Sequence, residues 1–173
     1  ELSFKESKHK FLVETEKEKD GYQRSVKALL LECEKTKELG KGVKGALAEL
    51  IDVPQNLETA IEMALGASLQ NIVTENEQDA KRLIEHLRKN NLGRASFLPI
   101  SNIQGKRPEK IKCNIQGVLG LASDLIKYDK KYEQIILNLL GRTVIVENMD
   151  TAIKVSKENG HNFKIVTIDG DII

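Results

Sequence analysis

Residues 50–66 read LIDVPQNLETAIEMALG, and residues 125–141 read LIKYDKKYEQIILNLLG. Both segments open with Leu-Ile, place a glutamate eight positions later and end in Leu-Gly, sixteen positions from the start. The pattern continues past each glycine, because Ile72-Val73-Thr74 and Val144-Ile145-Val146 both precede an alanine by eight positions, although the second copy is three residues shorter between glycine and strand. Self-similarity at matched intervals marks a supersecondary unit that is present more than once. The sequence therefore predicts two copies of one structural unit.

Each copy is predicted to run helix, strand, helix, strand. In the first copy, Pro54 suits the first turn of a helix and Gly66 suits its end. A capping box that begins at Thr74 opens the next helix. At helical spacing, that helix is expected to bury Ala80, Leu83, Ile84 and Leu87. A β-type run over residues 95–100 completes the copy.

The second copy follows the same order. Asp129 is expected to cap its first helix, and its last strand is predicted over residues 163–168. Asp169 and Asp171 flank Gly170, which favours a turn between two strands over a cation site. Structural turns are predicted at six glycines across the two copies: Gly42, Gly45, Gly66, Gly93, Gly120 and Gly141.

A charged helix precedes the two copies. Residues 22–39 carry an apolar stripe at helical spacing, and Gly40 ends it. Residues 1–21 are typical of the end of a coiled coil, with an ordinary amphipathic capping helix as the alternative. The predicted fold class is mixed α/β (α+β), with two similar helix–strand lobes behind a helix or coiled-coil stub. The predicted domains are residues 1–21 as the end of an arm, 22–113 as lobe I with its leading helix and basic linker, and 114–173 as lobe II.

Composition excludes several classes of protein. Hydrophobic residues make up 40% and charged residues 31% of the chain, so it is neither disordered nor membrane-spanning. The first residues alternate acidic and basic groups, unlike an export signal, and the two cysteines suggest no disulfide framework. The cytoplasm is therefore the expected compartment. Aromatic residues make up only 4%, which argues against a stacking surface for single-stranded nucleic acid.

The sequence contains no evident catalytic cluster. Residues 40–45 spell the dinucleotide-binding motif G-x-G-x-x-G, but a charged helix precedes them where that motif needs a strand. The three histidines lie far apart, without partners at metal-ligand spacing. We therefore expect no catalytic residue, no metal, no cofactor and no small-molecule substrate. The alternative is a small nucleotide- or metabolite-binding α/β regulatory domain that uses the glycine-rich turn.

A basic window is the strongest indication of a partner. Residues 88–112 hold seven cations and a single acidic residue, Glu109. Such a window attracts a phosphate backbone without reading its sequence, whereas a solvated basic loop is the simpler interpretation. The predicted DNA-binding residues are Arg88, Lys89, Lys106, Arg107, Lys110 and Lys112.

A series of stretches in fixed order resembles the hinge domain of SMC proteins, the chromosome-organising ATPases. The matching stretches are residues 42–51, 60–66, 69–73, 93–99, 117–120, 139–144 and 166–171. The first reads GVKGALAELI, and the fourth reads GRASFLP. The resemblance extends over residues 22–173 and has a bacterial character. In bacteria this family forms homodimers.

The resemblance implies two similar α/β lobes and two protomers joined in a two-fold ring. It also implies coiled-coil arms that end in ATPase heads, absent from this chain, so ATP binding belongs to the parent protein. The implied role is non-enzymatic: dimerisation and DNA contact at the nucleoid, in support of chromosome condensation and partition, without a membrane. The family usually continues past Asp171 with a glycine-rich stretch that helps form the dimer interface. This chain stops at Ile173, so we expect weakened dimerisation of the fragment.

The strand at residues 95–100 is the expected place of association. Pro99 lacks a backbone donor, which suits an edge strand, and an exposed edge is a template for a strand from a partner. An alternative is that Phe97 and Leu98 are core residues, and alternation along a strand directs one of them inward in either case. The predicted interface residues are Arg94, Ser96, Phe97, Leu98 and Pro99, with Ile172 and Ile173 leading into the partner's strand.

Overall fold

The computed structural model describes residues 20–108 and 114–173, and these form two compact units. Unit 1 holds residues 20–50 and Ala67–Asn102. Unit 2 holds Ile51–Gly66 and the described residues from Ile103 to Ile173. The predicted end of a coiled-coil arm lies outside the described residues, except for residues 20 and 21.

The order of elements confirms the predicted duplication and the mixed α/β class. A helix, α1 (Asp20–Lys35), comes first. The first copy contains β1 (Val43–Ala46), α2 (Leu47–Leu50), β2 (Ile51–Asp52), a 3-10 turn (Gln55–Leu57), α3 (Glu58–Leu65), a second 3-10 turn (Gly66–Gln70), β3 (Ile72–Thr74), α4 (Glu77–Lys89) and β4 (Phe97–Pro99). The second copy contains β5 (Val118–Leu121), α5 (Ala122–Leu125), β6 (Lys127–Tyr128), a 3-10 turn (Lys130–Tyr132), α6 (Glu133–Leu140), β7 (Thr143–Val146), α7 (Met149–Glu158) and β8 (Lys164–Thr167).

The strand that opens each copy, β1 or β5, was not predicted from the sequence. Each is four residues long and contains a glycine with positive φ, 125° at Gly45 and 136° at Gly120. The pairing register shifts at the same places, between Val43 and Gly45 and between Val118 and Gly120. Such a bulge interrupts the two-residue alternation by which a strand is recognised in a sequence.

Unit 1 is built on a three-stranded sheet with the order β1-β3-β4. The central strand β3 is buried along its length, antiparallel to β1 and parallel to β4. Helices α1 and α4 contribute to the same apolar core as the sheet. That core contains Val26, Leu29, Leu39, Ala46, Ile72, Leu83 and Leu87.

Three local predictions for unit 1 are wrong. Helix α1 ends at Lys35 instead of residue 39, because the chain turns back there on itself. The N-cap of α4 is Asn76, whose side chain accepts a hydrogen bond from the Asp79 amide at 2.9 Å, and Thr74 lies in β3. Ile84 is 37% exposed, since helical spacing places it at the border of the apolar face of α4 and no described neighbour closes over it.

Unit 2 contains a second three-stranded sheet with the order β5-β7-β8. Its central strand β7 is buried at all four positions, antiparallel to β5 and parallel to β8. Helix α7 packs on this sheet through Ala152 and Val155. Helices α3 and α6 add a further buried group: Ala60, Ile61, Leu65, Ile135, Ile136, Leu137 and Leu140.

One segment of the first copy belongs to unit 2. Strand β2 pairs with β6 of the second copy, with Ile51 opposite Tyr128 and Asp52 opposite Lys127, and helix α3 packs against α6. The compact units therefore cut across the predicted boundary of lobe I at residues 22–113. The apolar side of α3 indicates that the helix must be buried, but it does not specify which copy supplies the partner surface.

Gly42 and Gly117 occupy equivalent positions just before the opening strands. Their φ angles are 75° and 97°, a region that residues with a side chain rarely adopt. A Cβ atom at Gly42 would overlap the carboxylate of Asp79, and one at Gly117 would overlap the side chain of Thr151. Each helix that follows the central strand thus packs directly on a glycine backbone. Of the six predicted turn glycines, only Gly141 has an ordinary helical φ, at −63°.

Replacing Gly42 with alanine should lower the free energy of unfolding by about 3 kcal/mol, because the new methyl group combines backbone strain with displacement of the buried Asp79 carboxylate. Gly160→Ala is the matched control, since Gly160 also has positive φ but a Cβ atom there would make only an ordinary van der Waals contact. It should lose only about 1–2 kcal/mol, from strain alone. Urea unfolding followed by circular dichroism measures both. Equal losses would show that Asp79 does not pack against Gly42 in solution.

Candidate association edges and basic surface

Strand β4 lies at the side of the sheet in unit 1, as predicted. On its inner side, the Ile72 amide donates to Ser96 O at 2.9 Å, and the Ile100 amide donates to Thr74 O at 2.8 Å. Because peptide groups alternate in direction along a strand, the main-chain groups of Phe97 face away from β3. This outward side is where a further strand can add.

A groove runs beside β4, between that strand and α4. It consists of two adjoining depressions with volumes of about 630 and 530 Å³. The floor of the larger depression is mainly apolar, whereas the smaller depression exposes more polar than apolar surface. Phe97, in the larger depression, and Ala95, which lines both, also pack on the core of unit 1. Arg88 and Arg94 stand at its margin and are exposed. Glu77, Lys81 and Glu85 of α4 also line the larger depression, so the groove combines a mainly apolar floor beside β4 with charged side chains of both signs.

The corresponding strand of the second sheet, β8, is covered by its own chain. After the turn at Gly170, Ile172 bridges to Val166 in antiparallel fashion, and the Ile165 and Ile173 main chains exchange hydrogen bonds at 2.9 and 3.2 Å. The predicted turn between two strands is therefore confirmed. Ile172 and Ile173 are each 43% exposed.

Strands β4 and β8 occupy equivalent positions at the sides of their sheets, but only β8 has a further segment of the chain paired to its outer side. Residue pairing aligns them: Ile72 lies opposite Phe97 in one sheet, as Val144 lies opposite Ile165 in the other. The segment after β8 provides an outer strand in unit 2. Among the residues that the structure describes, no element adds to β4 in unit 1.

The predicted DNA-binding residues do not all share one environment. Arg88 and Lys89 lie in the last turn of α4 in unit 1, and Lys106 and Arg107 lie in unit 2. All four are exposed. Lys110 and Lys112 lie outside the described residues.

Arg107 is held by an acidic pair in unit 2. Its guanidinium donates to Asp124 Oδ1 at 2.6 Å and lies 3.8 Å from Glu133 Oε1. The hydrogen bond that Arg107 donates to Asp124, and the negative charge of that carboxylate, raise the pKa of Arg107. Nearby, the linker is fixed by two more bonds: Gly105 N donates to Gln134 Oε1 at 3.0 Å, and Asn138 Nδ2 donates to Gln104 O at 2.9 Å. The start of the basic linker is therefore bound to α6.

The glycine-rich turn at residues 40–45 does not have the geometry of a dinucleotide site. The order is helix, turn and strand, and β1 follows the turn where the motif needs a preceding strand. The Asp79 carboxylate lies against Gly42, so a negative charge faces the backbone that would have to receive a pyrophosphate. This arrangement gives no support to the alternative of a nucleotide-binding regulatory domain.

Neither a metal-binding cluster nor a membrane-spanning helix occurs among the described residues. Within residues 20–108 and 114–173, no three side chains of His, Cys, Asp or Glu are arranged to hold a metal ion. In the same part of the chain, none of the helices combines the length and apolarity needed to cross a bilayer.

Comparison with known proteins identifies the family to which this chain is similar. The family model of the SMC proteins flexible hinge domain matches residues 40–156. The chromosome partition protein Smc of Desulfitobacterium hafniense is 40% identical over 173 residues, which are 99% of this chain and 14% of that protein. Its namesake in Bacillus subtilis is 41% identical over 157 residues, 88% of this chain and 13% of that protein. The chain thus spans about a seventh of the length of these curated relatives.

A solved structure of an SMC hinge domain has a similar fold. The crystal structure of an asymmetric dimer of the Geobacillus stearothermophilus SMC hinge domain superimposes with a TM-score of 0.81 at 31% identity. The match covers 98% of this chain and 69% of that one. The chain belongs to the SMC hinge domain family, and the resemblance drawn from its sequence is confirmed.

Sequence reasoning missed the acidic partners of Arg107. Asp124 lies 17 positions away in the sequence, so no helical or strand periodicity connects the two residues. Sequence reasoning also missed the contacts between α4 and the end of α1. The sequence did contain a signal for those contacts. Asp79, Arg82 and His86 of the first copy align with residues of different chemistry in the second copy.

The ionisation of Tyr128 should report the linker contact in solution. Burial raises the pKa of Tyr128, Glu133 and Asp124 raise it further, and Arg107 lowers it. Glu133→Gln should therefore shift the tyrosinate absorbance titration to lower pH, whereas Arg107→Gln should shift it to higher pH. Tyr128→Phe identifies the transition among the three tyrosines. A titration that Arg107→Gln leaves unmoved would mean that Arg107 is released from α6 in solution.

Proposed function

We propose that this chain is the dimerising hinge of a bacterial chromosome partition protein and has no catalytic activity of its own. The observation that supports it best is the pair of complementary sheet edges: β4 is open in unit 1, and the segment Ile172–Ile173 is exposed in unit 2. The relative from Geobacillus stearothermophilus is a dimer of the same domain.

The main-chain geometry suits strand addition between two copies. Ile173 and Asp171 point their main-chain groups toward β8, so those of Ile172 face outward. Phe97 of a second copy presents outward groups in the same way. Pairing of the two segments satisfies hydrogen-bonding groups that otherwise depend on water, while the mainly apolar floor of the groove beside β4 receives the adjoining side chains. The proposed interface residues are Arg94, Ser96, Phe97, Leu98, Pro99, Ile172 and Ile173.

We also propose that the hinge contacts DNA through its basic residues. Exposed Arg88, Lys89 and Lys106 offer charge to a phosphate backbone. Arg107 contributes less, because Asp124 neutralises it. Lys110 and Lys112 complete the proposed set.

The parent protein supplies the remaining functions in this proposal. Its coiled-coil arms and ATPase heads act in chromosome condensation and partition at the nucleoid, in the cytoplasm. The role of the hinge is to join two such proteins, and this needs no metal, cofactor or small-molecule substrate.

Ile172→Lys should weaken self-association about tenfold or more, because a charged side chain enters the apolar contact at the joined edge. The measurement is sedimentation velocity over a concentration series, on this chain and on a form extended beyond Ile173. The extended form should associate more tightly.

The matched control is Ile153→Lys. Ile153 is 42% exposed, close to the 43% of Ile172, and Lys81 occupies the equivalent position of α4, so lysine suits this place in the fold. The control should associate like the parent. An extended form that stays monomeric at high micromolar concentration contradicts the proposed dimer, and an equal effect of both variants contradicts the proposed edge.

Replacing Lys106, Arg107, Lys110 and Lys112 with glutamate should weaken binding to duplex DNA and flatten its salt dependence, by about 0.9 in the log–log slope for each lost phosphate contact. Fluorescence anisotropy between about 50 and 200 mM salt measures both quantities. Lys130→Glu/Lys131→Glu is the control for a general change of charge in unit 2. If the control weakens binding more than the linker variant does, the DNA site lies at residues 130–131 and the linker proposal is wrong.

A further inference from the structure

Helix α4 has a second face, opposite the groove, and α1 packs on it. Leu83 and Leu87 of α4 belong to the same buried cluster as Leu29 of α1. The two helices run antiparallel. Ser25, early in α1, lies against Gly93 beyond the end of α4, and Glu32, near the end of α1, contacts His86 in the last turn of α4.

A polar network joins the end of α1 to this face. Arg82 Nη2 donates to Lys41 O at 2.5 Å and to Asp79 Oδ1 at 2.8 Å. The Asp79 side chain is only 8% exposed. One turn further along α4, His86 Nε2 is in hydrogen-bond contact with Glu32 Oε2 of α1. Side chains of α4 thus hold both the last turn of α1 and the turn that follows it.

The second copy provides an internal comparison, because no helix equivalent to α1 precedes it among the described residues. The offset that aligns Ala80 with Ala152 also aligns the two N-caps, Asn76 and Asn148, and each cap accepts a backbone hydrogen bond at 2.9 Å. The scaffold of the helix is therefore the same in both copies.

The network residues differ between the copies. At the same offset, α7 has Thr151 for Asp79, Lys154 for Arg82 and Glu158 for His86. Thr151 packs against Gly117 as Asp79 packs against Gly42, so the packing persists while the charge is lost. Within residues 20–108 and 114–173, the charged network is present in the copy that receives α1 and absent from the other.

We propose that Asp79, Arg82 and His86 form a latch that fixes the end of the arm helix on the lobe, and so sets the direction in which the arm leaves the hinge. The latch depends on the proposed function only in identifying α1 with the end of the arm. The same helix α4 borders the groove beside β4. The arm and the association edge are therefore fixed to one rigid element.

Cys33 is a natural reporter of the latch. It lies in the last turn of α1, partly buried against the core of unit 1. Burial and the neighbouring Glu32 carboxylate raise the pKa of its thiol, whereas Arg82 lowers it. Opening of the latch exposes this thiol to reagents. In a Cys113→Ser background Cys33 is the only thiol of the chain.

The decisive variant transplants the second copy's residues into the first: Asp79→Thr, Arg82→Lys and His86→Glu together. We expect Cys33 to be modified roughly tenfold faster, and the amides of Gly40 and Val43 to exchange hydrogen roughly tenfold faster, as loss of partly exposed ion pairs implies. A pH series of modification rates separates thiolate fraction from opening. The amides of Val73 and Ile145, in the central strands, should keep parent protection.

Two further variants complete the test. Glu32→Lys with His86→Glu reverses the pair and should return hydrogen exchange at the Gly40 and Val43 amides toward that of the parent, whereas His86→Glu alone should not. Thr151→Asp, the converse change in unit 2, should leave Cys33 unaffected.

The latch is wrong if the transplanted variant keeps parent Cys33 reactivity and parent protection at Gly40 and Val43. If the amides of Val73 and Ile145 in that variant also lose protection from hydrogen exchange, the variant has unfolded. The Glu32→Gln variant then tests the latch instead. Because Glu32 is 44% exposed, this change spares the core, and it must still accelerate hydrogen exchange at the Gly40 and Val43 amides several-fold. Amide exchange is the readout for this variant, because loss of the Glu32 charge by itself lowers the pKa of the Cys33 thiol. Sedimentation of the same variants tests the dimer separately, so failure of one proposal is distinguishable from failure of the other.

Discussion

The outermost strand of a sheet carries main-chain N–H and C=O groups that need partners, and this requirement organises the whole chain. The two small sheets meet it differently. In unit 2 the chain turns back at Gly170 and places Ile172 beside β8, which gives that sheet a short outer strand. In unit 1 strand β4 ends the sheet, beside a groove with a mainly apolar floor. The open edge and the added strand are complementary, and our proposal for dimerisation follows from that difference.

Because the two copies share one architecture, aligned positions at which their residues differ indicate contacts that only one copy makes. Positions that build the scaffold agree between copies, as in the asparagine caps and the glycines beneath α4 and α7. Positions that contact something present in only one copy differ. Asp79, Arg82 and His86 contact α1 or the turn after it, and their counterparts form no such network among the described residues. Helix α4 therefore has one face packed on α1 and another beside the groove, whereas α7 exposes Met149 and Ile153 to solvent.

Patterns that persist over many residues were predictable from the sequence. The sixteen-position register, the ends of α3 and α6 at Gly66 and Gly141, and the edge character of β4 were predicted correctly, because glycine, proline and apolar spacing act locally. The opening strands were missed, since a bulge at Gly45 or Gly120 destroys alternation. Burial of Ile84 was predicted wrongly, because helical spacing defines a face but not the width of the surface that covers it.

The sequence by itself determined that the chain holds two copies of one α/β unit, that a charged helix precedes them, and that the family is that of SMC hinges. These conclusions depend on local residue preferences and on order along the chain. Only the tertiary structure decided that α3 joins unit 2, that Arg107 is bound to Asp124, and that Arg82 holds the turn after α1. Such contacts join residues distant in sequence. Their energies depend on burial and distance, which no local pattern encodes.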